Sequence, residues 1–270
     1  MPHVIIKKVW DYCSYNKSFL LFILALLFVS SLIQNYVRAN GDYYDWMLLQ
    51  ILVFIIVSGY GMSITRSRIN HGKRLPKIII KDIFSLGIKS GIITSIYLFI
   101  QGFILAHVCY ALGFPPFDLK ELLLNWPDTI HMMFHHDPVT TILFVFVGAI
   151  LFYMSTFFME IALAKLADTK SIWPALNLLS IKRSIDVLGW KNYAKEYTLI
   201  VLAIVILSHL ISYDIPFTFI DSLIDMFLSF LIFVTQYLGI GAVYCKIKDL
   251  ESNEMQDWKQ PVNIKIRQLN

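Results

Sequence analysis

Glu160 is the residue in this sequence whose type and setting most suggest chemistry, because it stands in an apolar run beside Phe157, Phe158 and Ile161. Placing a charge at the centre of a bilayer costs about 2.5–3.5 kcal/mol on insertion scales, so such residues mark ion pathways or relays by default. Held inside a helical bundle, Glu160 would bind a cation or relay a proton. Its plainer alternative is to lie about one turn from Lys165 and reach with it toward the membrane interface.

Other groups admit the same two readings. His107 and His209 fall in apolar runs, where a lone histidine is a ligand or, more commonly, a hydrogen-bonding contact between helices. Gln101 and Gln236 fall nearer mid-depth, and each amide requires a partner. Asp221 and Asp225, four apart, form with Asp214 an acidic mouth that would attract cations, or simply a hydrated helix end. Asp128, His131 and His135 lie within about 60° of one another at 100° per residue, a helical spacing that suits a transition metal or a pH-sensitive lid. Against a metal site stand the lack of an HExxH string and of paired cysteines. The intervening Met132, Met133 and Phe134 suit a helix resting on a membrane surface.

The chain has no GxxxxGK[ST] loop, no GxGxxG after a strand and no GxSxG elbow, and no soluble stretch large enough for an ATPase. Coupling to ATP by this chain alone is not expected on that ground, and no cofactor is called for.

The elements that must position these side chains are membrane helices. Apolar residues make up 57% of the 270 and charged residues 16%, against roughly 45–50% and 25% in soluble domains. Six segments approach the roughly 20 residues needed to cross a bilayer: 18–34, 47–65, 90–112, 139–163, 197–213 and 226–245. Runs such as 20–28 and 199–207 are apolar on every side, which excludes the period-two pattern of a barrel. The expected fold is therefore all-α, a polytopic bundle of about six spans over 18–245, with a cytoplasmic arm (1–17) and a cytoplasmic tail (246–270).

Orientation follows from Lys and Arg. All 23 basic residues except Arg38 and Lys120 fall in the N-terminal arm, the second loop, the fourth loop or the tail. The positive-inside rule then puts those segments and both termini in the cytoplasm of a cell-membrane protein. The net charge of +4 thus reflects a basic inner rim facing an anionic lipid leaflet, not a nucleic-acid surface. Lys77, Lys81 and Lys89 are its lipid-headgroup candidates. Lys7 and Lys8 before an apolar stretch resemble a secretory signal, but the run reaches spanning length and reads as an uncleaved anchor. Cys13 and Cys245 belong to the cytoplasmic side and Cys109 to the outer side, so no disulfide is expected.

Two stretches share one layout. In each, a span ends inside, a polar turn follows, a proline opens an amphipathic helix, a glycine closes it, and the next span leaves. The first has Asn70 and Gly72 in the turn, Pro76 opening and Gly87 closing; Lys77, Lys81, Ser85 and Lys89 share one face, with Ile78, Ile79, Ile83 and Leu86 turned elsewhere. The second has Asp168 to Ser171 in the turn, Pro174 in the first helical turn and Gly189 at the end, with Trp173, Leu176, Ile181, Ile185 and Leu188 on its apolar side. The pattern predicts a parallel internal repeat with two cytoplasmic interfacial helices, which either anchor the connections or frame a vestibule.

These stretches carry a resemblance. Gly59 and Tyr60 ahead of Arg66, then Gly72, Leu75 and Pro76, Gly87 with Lys89, and later Ala167, Asp168 and Thr169 followed by Gly189, Trp190 and Tyr193, resemble an uncharacterised, largely archaeal multi-pass family, domain of unknown function 4013. Lys89 is displaced by one residue from that pattern. The resemblance covers roughly residues 50 to 245 and implies a membrane protein with no assigned activity.

The leading expectation is a non-enzymatic integral membrane protein that binds or transports a small or lipidic molecule or docks a membrane partner, with lipid, a membrane protein or a second copy of itself as its company. An intramembrane or interfacial enzyme acting on lipid, using Glu160 or the Asp128, His131 and His135 group, is the alternative. A purely structural interaction protein is the third reading.

Overall fold

The computed structural model describes residues 21, 24, 25, 27–29, 43–111, 130, 131, 133–135, 137–211 and 218–259, leaving aside the side chains of 43–47, 109, 210, 211, 218–222, 225 and 253–259. All regular structure within these residues is helical: α1 (Tyr43–Ile69), α2 (Ile80–Ala111), α3 (Pro138–Thr169), α4 (Ile172–Leu176), α5 (Leu178–Leu188), α6 (Trp190–Ile211) and α7 (Thr218–Lys259). Among the described residues, four stretches are long and apolar enough to cross a membrane: Leu48–Ile69, Ile80–Val108, Pro138–Thr169 and Met226–Ser252. They correspond to the second, third, fourth and sixth expected spans and fit an integral membrane protein. The fifth coincides with α6, which is not among those four, and the first lies largely outside the described residues, as do the N-terminal arm and most of the tail.

Local sequence sets the helix ends. Asp137 caps α3, accepting from the amides of Val139 (3.1 Å) and Thr140 (3.2 Å), with Pro138 in the first turn. At the other end Lys170 takes a left-handed conformation (φ 56°) and donates its amide to Leu166 O at 2.8 Å. The turn after α1 is built alike: His71 has φ 57°, and the Gly72 amide reaches Ser67 O at 2.7 Å. We call the side of the bundle that carries these two turns the connection end.

Beyond the turns the two connections diverge. In the second, Asn177 caps α5 by accepting from the Ser180 amide at 3.1 Å, and Gly189 (φ 84°) ends it, as the spacing predicts. Its Ile181 and Ile185 are fully buried, while Lys182, Arg183 and Asp186 are exposed; Trp173, expected on the apolar side, is 82% exposed. In the first connection the expected separate helix over 76–87 does not form. Residues 76–79 are not helical, Tyr60 Oη donates to Pro76 O (3.2 Å), and α2 then runs unbroken from Ile80 through Gly87.

Gly87 does not stop a helix because its role is tertiary. A Cβ on Gly87 would lie 2.0 Å from Ile55 O, and one on Gly59 would lie 1.9 Å from Ile83 O. The two glycines let the backbones of α1 and α2 touch, the small-residue contact typical of membrane helices. One core cluster gathers Tyr60, Ile64, Leu75, Ile83 and Val234 between α1, α2 and α7, with Leu24 and Leu27 against it. The other joins Phe157 and Ile161 to Ala167 of α3 with Ile181 and Ile185 of α5, Tyr193 of α6 and Ile247 of α7. Away from the connection end, large apolar side chains such as Phe99, Phe103, Phe146 and Ile206 stay exposed. That is the surface lipid would cover.

Candidate functional site

Glu160 sits on α3 a little over two turns before the connection end, in the run where the helix is buried on nearly all sides. It is itself buried. Gln236 of α7 donates from Nε2 to one carboxylate oxygen, Oε1, at 2.8 Å. The other oxygen, Oε2, is buried with no hydrogen-bond partner among the described residues. On α2, Tyr97 Oη and, one turn further, Gln101 Oε1 are buried and unpartnered in the same sense. Removing a polar group from water without a partner costs about 1–3 kcal/mol, and natural structures keep few such atoms. Glu160 Oε2, Tyr97 Oη and Gln101 Oε1 can therefore each take a further hydrogen bond.

The surrounding aromatic wall contrasts with them. Tyr193 Oη donates to Phe157 O (2.6 Å), Tyr197 Oη to Thr156 Oγ1 (2.6 Å), and Tyr153 Oη lies 2.9 Å from Thr198 Oγ1. The ring of Phe157 packs against Tyr193 (4.3 Å) and Tyr197 (5.3 Å). The hydroxyls of Tyr153, Tyr193 and Tyr197 have partners, whereas Glu160 retains an oxygen without one among the described residues. An ionised carboxylate only accepts, so that oxygen can take a proton, a cation or a donor on a solute.

One reading of this group is corrected. Glu160 does not reach toward the interface with Lys165; the five-residue offset turns them to different sides of α3, and Lys165 Nζ instead donates to Ser180 O (2.7 Å) and to Ser180 Oγ. Of the two amides that require a partner, Gln236 finds it in Glu160, while Gln101 Oε1 has none among the described residues. Tyr97 escaped the sequence reading, because a tyrosine in an apolar helix looks like core. Its offset of four from Gln101 was the available signal.

A second feature lies at the connection end. Ser63, Arg66, Ser67 and Asn70 of α1 and its turn, with Pro76, Lys77 and Asp82, line a cleft of about 260 Å³. Of the three headgroup candidates, Lys77 lines this cleft, Lys81 is exposed beside it, and Lys89 donates to Lys170 O (2.8 Å), tying the two connections together. Lys170 in turn pairs with Asp82 at 2.7 Å.

The remaining candidates that are described lie away from Glu160 on the surface. His107 is exposed, and its Nδ1 lies 2.8 Å from Phe103 O of its own helix. His209 is exposed near the end of α6. His131 and His135 are exposed with their rings 4.5 Å apart, edge to face, while Asp128 lies outside the described residues. Asp221 and Asp225 belong to the first turns of α7, and their side chains also lie outside them.

The residues of the recognised pattern turn out to build the scaffold: Gly59 and Gly87 the helix contact, Tyr60 the bond to Pro76, Asp168 an ion pair with Lys248 (2.7 Å), Gly189 the end of α5, Tyr193 the tie to Phe157. A family model described as "Protein of unknown function (DUF4013)" matches residues 46–234. No curated protein and no solved structure matches the chain.

Proposed function

This chain belongs to the DUF4013 family of proteins of unknown function, and from that premise we propose that it is a six-span protein of the cell membrane that binds or passes a small cationic or proton-donating solute at Glu160. The observation that carries this reading is the buried carboxylate with one oxygen tied to Gln236 and the other open. Supporting it are the open oxygens of Tyr97 and Gln101 on the facing helix, in a membrane-length segment where a charge is otherwise disfavoured. Both termini face the cytoplasm in this proposal, in line with the distribution of Lys and Arg. The matching left-handed turns at His71 and Lys170 favour an internal repeat relating the two connections.

Thermal melting of the purified protein tests the binding. Na+, K+ or methylammonium is expected to raise the Tm of the native chain and to leave that of Glu160→Gln unchanged, since the amide keeps a partner in Gln236 but loses the charge. A Tm insensitive to every cation and to pH, or a shift that persists in Glu160→Gln, would refute the reading.

The cleft favours a second reading. Arg66 and Lys77 offer positive charge of the kind that holds a phosphate headgroup at the membrane surface, in a cleft whose Ser67 and Asn70 side chains are turned to the backbone carbonyls of Arg74 and Arg66. Native mass spectrometry would show an anionic lipid retained by the native chain and lost in Arg66→Gln with Lys77→Gln. Retention by that variant would remove this reading.

A further inference from the structure

The inner end of α7 meets the turn after α1 at three side chains that no part of the sequence reading joined. Cys245 Sγ lies 4.0 Å from His71 Nε2 and 3.8 Å from Asp249 Oδ2, and His71 Nε2 lies 3.3 Å from Asp249 Oδ1. One ligand atom from each falls within 4.8 Å of the others. We propose that His71, Cys245 and Asp249 form a transition-metal site of the zinc class, with a fourth coordination position open to solvent or to a small ligand.

The distances suit the chemistry. With Zn–S of about 2.3 Å and Zn–N and Zn–O of about 2.0 Å, the edges of a tetrahedron come to about 3.5 Å for sulfur to nitrogen or oxygen and about 3.3 Å for nitrogen to oxygen. The Cys245–His71 edge exceeds this by about half an ångström, and with a single oxygen of Asp249 serving both of its edges the three ligand atoms lie within 4.8 Å of one another, so side-chain rotation has to draw them together around the ion. Thiolate and carboxylate together balance a divalent ion, and thiolate with imidazole favours zinc-like metals over magnesium or calcium. Cys245 is a free, buried thiol, whereas His71 and Asp249 have side chains 69% and 52% exposed, so three ligands come from the protein and the outer face stays open.

Cys245 and Asp249 are four apart on one face of α7, and His71 meets them from the turn after α1, where its φ of 57° is a left-handed helix end. Lys170, the matching residue in the other connection, has φ 56° without facing a thiol, so the turn by itself does not demand a ligand there. A metal at this point would staple α7 to the α1–α2 turn. That role is separate from Glu160.

The full chain, purified in detergent and freed of metal by a chelator, is titrated with Co2+. A single Co2+ is expected per chain, with thiolate-to-cobalt charge-transfer absorption and tetrahedral d–d bands, displaced by Zn2+. Cys245→Ser is expected to lose the charge-transfer band. Asp249→Asn, a change at a half-exposed position that guards against misfolding as the cause, keeps the band but weakens binding by roughly 10- to 100-fold. Cys13→Ser, Glu160→Gln and the double change His131→Ala with His135→Ala leave the spectrum as it was. The proposal is overturned by absence of the band in the native chain, by its survival in Cys245→Ser, by full affinity in Asp249→Asn, or by its loss in Cys13→Ser.

Discussion

Two glycines of the same helix mark the difference between the ends of this bundle. At Gly87 an added Cβ would fall 2.0 Å from a backbone oxygen of α1, whereas at Gly102, about 22 Å further along α2, it would meet no described atom within 4 Å. The polar groups divide in the same way. Toward the connection end, Glu160, Gln236, Lys165 and Lys89 are held by partners from other elements or, for Glu160 Oε2, left open inside the core. Toward the far end, among the described residues, His107 bonds to its own helix and large apolar side chains face outward. Among the described residues, tertiary specificity is thus concentrated in the half that carries the two turns. The other half presents the apolar surface a bilayer would cover.

The largest effect should come from Gly87→Leu, which forces backbone separation of α1 and α2: we expect loss of a monodisperse, cooperatively melting protein, read by size-exclusion chromatography and thermal melting. Gly102→Ala should do the opposite and stabilise α2 by up to about 0.5–1 kcal/mol. Equal damage from both would erase the comparison.

Next in size is Lys165→Ala. Removing a buried donor leaves Ser180 without its partner and should cost about 1–3 kcal/mol in a denaturant melt. Tyr193→Phe deletes only a hydroxyl and its 2.6 Å bond to Phe157 O, for an expected loss of roughly 1 kcal/mol. His107→Ala, at the far end, should change stability by no more than about 0.5 kcal/mol. A His107 effect as large as that of Tyr193 would show that the far end holds tertiary contacts of its own.

Much of the scaffold was legible because membrane helices announce themselves by length. The four candidate spans at 48–69, 80–108, 138–169 and 226–252 overlie expected ones, and Gly189 ends α5 where the sequence pattern puts it. Gly87 was misread for a physical reason: a glycine inside an amphipathic pattern resembles a stop, and only the approach of Ile55 shows that it serves a contact. The same limit hid the sites. Glu160 stood out by cost, but its partner Gln236 is 76 positions away, and His71 meets Cys245 across 174. No periodicity within one helix reports which neighbour faces it.

Ion flux into proteoliposomes tests the central claim most directly. With a pH-sensitive dye trapped inside and proton, Na+ or K+ gradients imposed in turn, the native chain should carry flux for at least one of them, and Glu160→Gln, still melting cooperatively, should carry none. Equal flux through native and Glu160→Gln protein, or no flux through the native chain under any gradient, would contradict passage of a cation or proton at Glu160.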